Sequence, residues 1–191
     1  SAPHKRNAPS SVSAGFGCGF AGILYGFPMA KTKNAKKTAT KKKAVRHTPV
    51  VGALRQVLSD SYALLGQTHL CHWNVEGPSF FALHNAFEEQ YTELFTAVDD
   101  IAERIRALGA YAPGGLGSLA DKAGMEEIKE EATANEMVAH LASLHEKLIK
   151  DGATARELAA DNDDKETEDM MISRIEVHQK TLWMLQSFLK A

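Results

Sequence analysis

The stretch HLCHWNVEGPSFFALHNAFEEQYTELFTAVDDIAERIRALG, residues 69–109, sets the terms for the whole chain. Gly77-Pro78 breaks it into the end of one helix and the body of another, because proline has no amide proton to donate and glycine tolerates the turn. The first helix is expected from Thr48-Pro49 to about Glu76, and the second from a Ser79 cap to about Leu108, with Gly109 as its stop. At about 100° per residue with His84 at zero, Glu88 falls near 40°, Asp99 near 60° and Glu103 near 100°. The large apolar residues Phe87, Tyr91, Leu94, Val98, Ile101 and Ile105 centre near 300° on the same scale. Four metal-competent side chains therefore share a face beside the core stripe. Glu89, Glu93, Asp100 and Arg104 lie further round, where solvated charges are expected.

Distance then limits what that face can do. His84 and Glu88 are one turn apart, as are Asp99 and Glu103, so each pair can share an ion. Glu88 and Asp99 are separated by roughly 16 Å along the axis, whereas metal–ligand bonds are about 2 Å. The pairs could serve distant sites. They could also meet across chains, if this helix packs antiparallel on its own copy, and a twofold contact would then create the site twice. His72 can join from the first helix, which the Gly77-Pro78 turn brings back beside the second. Histidine with carboxylate suits iron, manganese or zinc, and mixed N/O ligands with open positions favour redox-active iron. The bland alternative is a set of interfacial charges and satisfied histidines. A di-iron site inside a bundle needs Glu-x-x-His on two helices. No such motif occurs in the chain, which disfavours an intrachain centre.

The rest of the body continues in helical register. Leu54, Val57, Leu58, Leu64 and Leu65 carry the first helix. Residues 109–131, GAYAPGGLGSLADKAGMEEIKEE, form a long connection with room for one short helix. A third helix is expected over roughly 132–160, through Met137, Leu141, Leu144, Leu148 and Leu158. A fourth begins in DNDDKETED and is carried by Met170, Met171, Ile175, Leu182, Leu185, Phe188 and Leu189. Four long helices with one extended middle connection, no strand signal and 44% hydrophobic residues point to an all-α four-helix bundle.

Charge is divided sharply. Residues 1–46 hold ten Lys/Arg and no acid; the remainder holds twelve Lys/Arg and all 24 acids, a formal −12. The boundary is placed at 1–47 for the basic extension and 48–191 for the folded body. Residues 29–46, MAKTKNAKKTATKKKAVR, lack aromatics and acids, so disorder is expected. Residues 1–28 carry a broken apolar run with five glycines and no A-x-A cleavage pattern. Met29 reads as a natural start, and residues 1–28 are expected to be an upstream extension. Cys18 and Cys71 form no disulfide framework, which favours a reducing compartment, and no run approaches the roughly 20 apolar residues of a membrane span.

HWNVEG, then F-x-x-L-H-x-x-F-E, then D-D-I-A-E-R-I-R-x-L-G, resembles the Dps family, the DNA-binding proteins from starved cells. The resemblance extends over roughly residues 48–190. It implies a ferritin-like four-helix bundle with a short helix in the middle connection, assembled as a hollow dodecamer. It implies oxidation of Fe(II), preferentially with hydrogen peroxide, at twofold interfaces, with the ferric product stored inside. By that resemblance His72 and His84 are the histidine ligands, Glu88 takes a carboxylate position, and Asp99 and Glu103 come from the partner subunit. Two irons per intersubunit site are implied. Trp73 matches a nearby oxidisable ring; read locally, it is a packing residue. Asp164, Glu166 and Asp169 resemble the acidic segment lining the family's threefold iron pores, although acids also suit a helix N-terminus for its dipole alone.

The basic segment supplies the remaining expectation. Lys31, Lys33, Lys36, Lys37, Lys41, Lys42, Lys43 and Arg46 can neutralise phosphates without reading bases, and repetition on an oligomer would strengthen weak contacts. The sequence thus favours a DNA-coating ferroxidase and iron store in the cytoplasm, associated with the nucleoid. Two alternatives remain: a nucleoid-structuring protein without ferroxidase activity, and a mini-ferritin that ignores DNA. His69 reads as an ordinary helix histidine and Cys71 as a small buried residue. His140 and His145, five apart, miss the favourable spacing for a shared metal, and Met170-Met171 reads as core.

Overall fold

The computed structural model describes residues 48–190, which form five helices: α1 (Thr48–Asn74), α2 (Phe80–Ala107), α3 (Leu116–Ala123), α4 (Ala134–Asp161) and α5 (Lys165–Phe188). The basic residues Lys31 to Arg46 lie outside the described residues. The architecture is the all-α, ferritin-like bundle expected, with α3 as the short helix of the middle connection. α1 pairs with α2 and α4 pairs with α5 as antiparallel hairpins, α1 also packs against α4, and α3 rests on α1.

The turn between α1 and α2 is where Gly77-Pro78 acts. Gly77 has φ +103°, a region that side chains with a Cβ rarely adopt, and its carbonyl accepts the Phe80 amide at 3.1 Å. Ser79 occupies the cap position without making a side-chain cap bond. α1 ends at Asn74, two residues short of the sequence expectation, because the chain is already turning.

Phe87, Leu94, Ile101 and Ile105 of α2, Met137, Leu141 and Leu148 of α4, and Met171 of α5 are fully buried with Leu54, Leu58 and Leu64 of α1. Each such side chain contributes about 1.5–3 kcal/mol relative to exposure. α1 has neighbours on three sides, so its buried face also includes Ser59, Ser61 and Thr68. Their hydroxyls donate to the carbonyls of Arg55, Val57 and Leu64, four residues back, at 2.7–2.8 Å, which meets the demand of a buried polar group within the helix itself.

The connection is fastened to α1 through three polar contacts. Arg55 donates to the Tyr111 carbonyl at 2.7 Å, Gln56 to the Lys122 carbonyl at 3.1 Å, and Gln67 accepts the Ile128 amide at 2.9 Å. α4 opens with a capping box that the sequence reading passed over. The Thr133 hydroxyl accepts the Glu136 amide, and the Glu136 carboxylate accepts the Thr133 amide at 2.7 Å. No described helix is long and apolar enough to cross a membrane.

Candidate metal centre

The α1–α2 hairpin brings the end of one helix beside the start of the next, and with them His72, His84 and Glu88. One ligand atom from each lies within 4.8 Å of the others, and this is the only such trio among the described residues. His72 is buried, His84 half-buried and Glu88 exposed, so the cluster opens from the core onto the surface.

The two rings hold each other in place. Nδ1 of His72 lies 2.9 Å from the backbone oxygen of His84, and Nδ1 of His84 lies 2.9 Å from the backbone oxygen of His72. A carbonyl can only accept, so both Nδ1 atoms carry the proton. In the neutral ring Nε2 then keeps a lone pair, the form that binds a metal, and the Nδ1 hydrogen bond fixes the orientation of each ring. The rings stack with centroids 3.8 Å apart, Phe80 stacks on His84 at 5.0 Å, and Tyr91 meets His72 edge-on at 5.1 Å. Two imidazole nitrogens and a carboxylate suit a borderline divalent ion such as Fe(II), and they leave coordination positions unfilled.

Asp99 and Glu103 stand further along α2, both exposed, and neither joins the trio. That separation follows from the rise per residue along one helix. Trp73 is 70% exposed rather than packed, and its indole stacks on His69 at 5.3 Å with planes 6° apart. His69 in turn lies 4.2 Å from Tyr91, and burial, followed by the proximity of the His72 imidazole, holds its pKa below the ordinary value. Cys71 is buried, which pushes its thiol pKa up to about 12 and leaves it chemically quiet.

Around the α4–α5 turn, Asp164 takes a structural position. Its side chain is 1% exposed, caps α5 through the Thr167 amide at 3.2 Å, accepts the Thr167 hydroxyl at 2.8 Å and pairs with Arg104. Glu166 and Asp169 are exposed. Arg104 and Glu93, expected on the plain solvated side of α2, instead reach α5. Arg104 also binds the Thr167 hydroxyl at 2.8 Å, and Glu93 pairs with Arg174. Met171 is core, as its spacing indicated.

Sequence reasoning missed one buried pair altogether. His145 of α4 and His178 of α5 face each other in the interior, Nδ1 to Nδ1 at 2.9 Å. The available signal was register: His178 stands seven residues after Met171 and seven before Leu185, on the core stripe itself.

A ferritin-like domain model matches residues 51–191. An uncharacterised low temperature-induced protein of Nostoc sp. (strain PCC 7120) is 38% identical over 143 residues, covering 74% of this chain and 80% of that protein. The DNA protection during starvation protein 2 of Bacillus anthracis is 34% identical over 140 residues, covering 73% of this chain and 96% of its own. The crystal structure of a Dps protein from Bacillus brevis superposes with a TM-score of 0.73 at 32% identity, covering 76% of this chain and 97% of that one. With the bundle, the short connecting helix and the His72–His84–Glu88 cluster in the same chain, these likenesses place it in a defined group: it belongs to the Dps proteins of the ferritin-like family.

Proposed function

We propose that the protein is a DNA-protecting ferroxidase and iron store whose metal sites are completed by a second copy of the chain. The observation that carries this reading is the division of α2. One chain assembles His72, His84 and Glu88 into an incomplete ligand set, while Asp99 and Glu103 stand exposed on the same helix, out of reach. Phe81 and Phe95 support it, being 78% and 67% exposed on the α2 surface that carries those residues. Antiparallel packing of two α2 helices covers both phenyl rings and brings Asp99 and Glu103 of each copy to the histidines of the other. The DNA protection during starvation proteins among its relatives agree with a DNA-protecting role, and extension to a dodecamer rests on kinship with them.

In this reading two Fe(II) ions bind per site as substrate. Each gives one electron to a single hydrogen peroxide, whose O–O bond breaks to yield two waters after uptake of two protons. Delivering the electrons as a pair avoids release of hydroxyl radical. The acidic body concentrates Fe(II) around the shell. Glu166 and Asp169 line the iron pores, and Asp164 anchors the turn that presents them. The basic residues Lys31, Lys33, Lys36, Lys37, Lys41, Lys42, Lys43 and Arg46 bind DNA phosphates, placing the protein at the nucleoid in the cytoplasm. Those basic residues also favour the second reading, a DNA-coating protein without ferroxidase activity.

Anaerobic addition of Fe(II) followed by stoichiometric peroxide separates the two. Rapid growth of ferric absorbance at about two irons per peroxide, with little trapped radical, is expected. A wild-type shell no faster than a His72→Ala/Glu103→Ala variant would leave only the DNA-coating reading.

A further inference from the structure

The iron chemistry makes no use of the histidine pair between α4 and α5. His145 and His178 are 2% and 1% exposed, and the Nη2 of Arg174 lies 3.0 Å from Nε2 of His178. A guanidinium only donates, so Nε2 of His178 accepts and the proton of that ring sits on Nδ1. That N–H donates to Nδ1 of His145, which places the proton of His145 on Nε2, a buried atom with no hydrogen-bond partner. Both rings are neutral, and every ring lone pair is already accepting a hydrogen bond. Arg174 continues the chain to the carboxylate of Glu93 on α2.

We propose that the His145–His178 pair is an acid-sensitive latch that fastens α5 to α4 and, through Arg174, to α2. A further proton can land only where a hydrogen bond already arrives. On Nδ1 of His145 it faces the N–H of His178; on Nε2 of His178 it faces the Arg174 guanidinium. Either event breaks the chain and leaves a cation in the core beside another cation, with both costs falling on the same seam.

The surroundings offer little to compensate. α2 presents Glu93, already paired with Arg174, and Glu89. α5 presents Lys180 as well as Arg174. With Gln90 and Thr181, Glu89, Glu93 and Lys180 line a cleft of about 260 Å³ that reaches His145 and gives protons a route in. On α4 itself, Lys147 is turned away to Asp60 of α1 and to Asp151.

The sign of the pH dependence follows from those positions. Burial, then the charge on Arg174, holds His145 down at about 4; burial, Arg174 and then His145 hold His178 down at about 2. Both lie below the ordinary histidine value of 6.5, so the unfolded chain takes up protons first as pH falls. The contribution of the latch is complete above that value and is lost progressively below it. Acid therefore loosens α5 first. The α1–α2 hairpin, which holds His72, His84 and Glu88, keeps its own contacts.

Hydrogen exchange followed by mass spectrometry on the full chain, corrected for the intrinsic effect of pH, tests this without iron. Between pH 7.5 and 4.5 the amides around Ile175 and Leu185 should lose protection on the order of tenfold more than those of α1 and α2. A His145→Gln/His178→Gln variant should lose that selective response. Equal loss in all helices, or the same α5 response in the variant, overturns the proposal. Should the variant not fold, the slope of the wild-type α5 opening constant against pH decides. Uptake of one to two protons per opening is expected below the histidine range, and a slope of zero overturns it.

Discussion

Asp60 shows how much a single buried carboxyl can set the pH response of a bundle. Its side chain is wholly buried, with Oδ1 2.7 Å from Nζ of Lys147 and Oδ2 buried without a partner. Burial is the largest influence and outweighs the lysine, while Asp151 adds to it, so the pKa is pushed up to about 6 from 3.8. A carboxyl with a raised folded value disfavours the fold once it ionises. Its burden is absent below pH 3.8, grows from there to about 6, and is constant above. The window overlaps that of the buried histidines, and the sign is opposite. Asp60→Asn should therefore raise stability relative to wild type more at pH 7 than at pH 4, by on the order of 2 kcal/mol between the two. Thermal melts at both values check it; an equal shift would show that desolvation does not dominate this residue.

Two helix starts differ in what they have at stake. Thr133 caps α4 from an exposed position, so Thr133→Ala should cost about 1 kcal/mol in urea denaturation and no more. Asp164 caps α5 from a buried one and neutralises Arg104 of α2 at the same time. Removing it leaves the half-buried Arg104 guanidinium with only the exposed Glu166 as a carboxylate partner, at 3.7 Å, as well as a bare helix end, so Asp164→Ala should cost roughly 3 kcal/mol. The same substitution at exposed Glu166 should leave stability within about 0.5 kcal/mol and change only iron uptake. If Asp164→Ala and Thr133→Ala proved equal, the tie between α2 and α5 would be energetically idle.

Assembly decides whether the two halves of the ligand set ever meet. Chains carrying His72→Ala and chains carrying Glu103→Ala should each be inactive alone. Unfolded together and reassembled, they should recover about a quarter of the sites, because half of randomly formed pairs are mixed and each mixed pair keeps one intact site. No recovery, from particles of normal size by sedimentation, would sink the shared-site reading. Phe95→Lys should shift the sedimentation profile to smaller species, since a charge would have to be buried where a ring now waits for cover. Deletion of residues 1–46 should abolish the gel shift with DNA at all salt concentrations; with the basic arm removed, the remaining body carries a formal −12.

The sequence alone determined the helical bundle, the turn between α1 and α2 and the distance between the two halves of α2, because these follow from apolar periodicity, a Gly-Pro break and the rise per residue. Apolar spacing specifies which face is buried, Gly77-Pro78 specifies the turn, and rise per residue forbids Glu88 and Asp99 of the same chain from sharing an ion. Only the tertiary structure decided what the remaining polar residues do. Arg104 and Glu93 read as solvated charges, and Asp164 as a pore or dipole acid, until α5 is laid against α2, and Trp73 reads as packing until the hairpin leaves it exposed. The reciprocal hydrogen bonds of His72 and His84, and the pairing of His145 with His178, join residues 12 and 33 positions apart. Hydrogen bonds at such separations depend on the distance between helices, to within tenths of an ångström, and no periodicity within one helix carries that information.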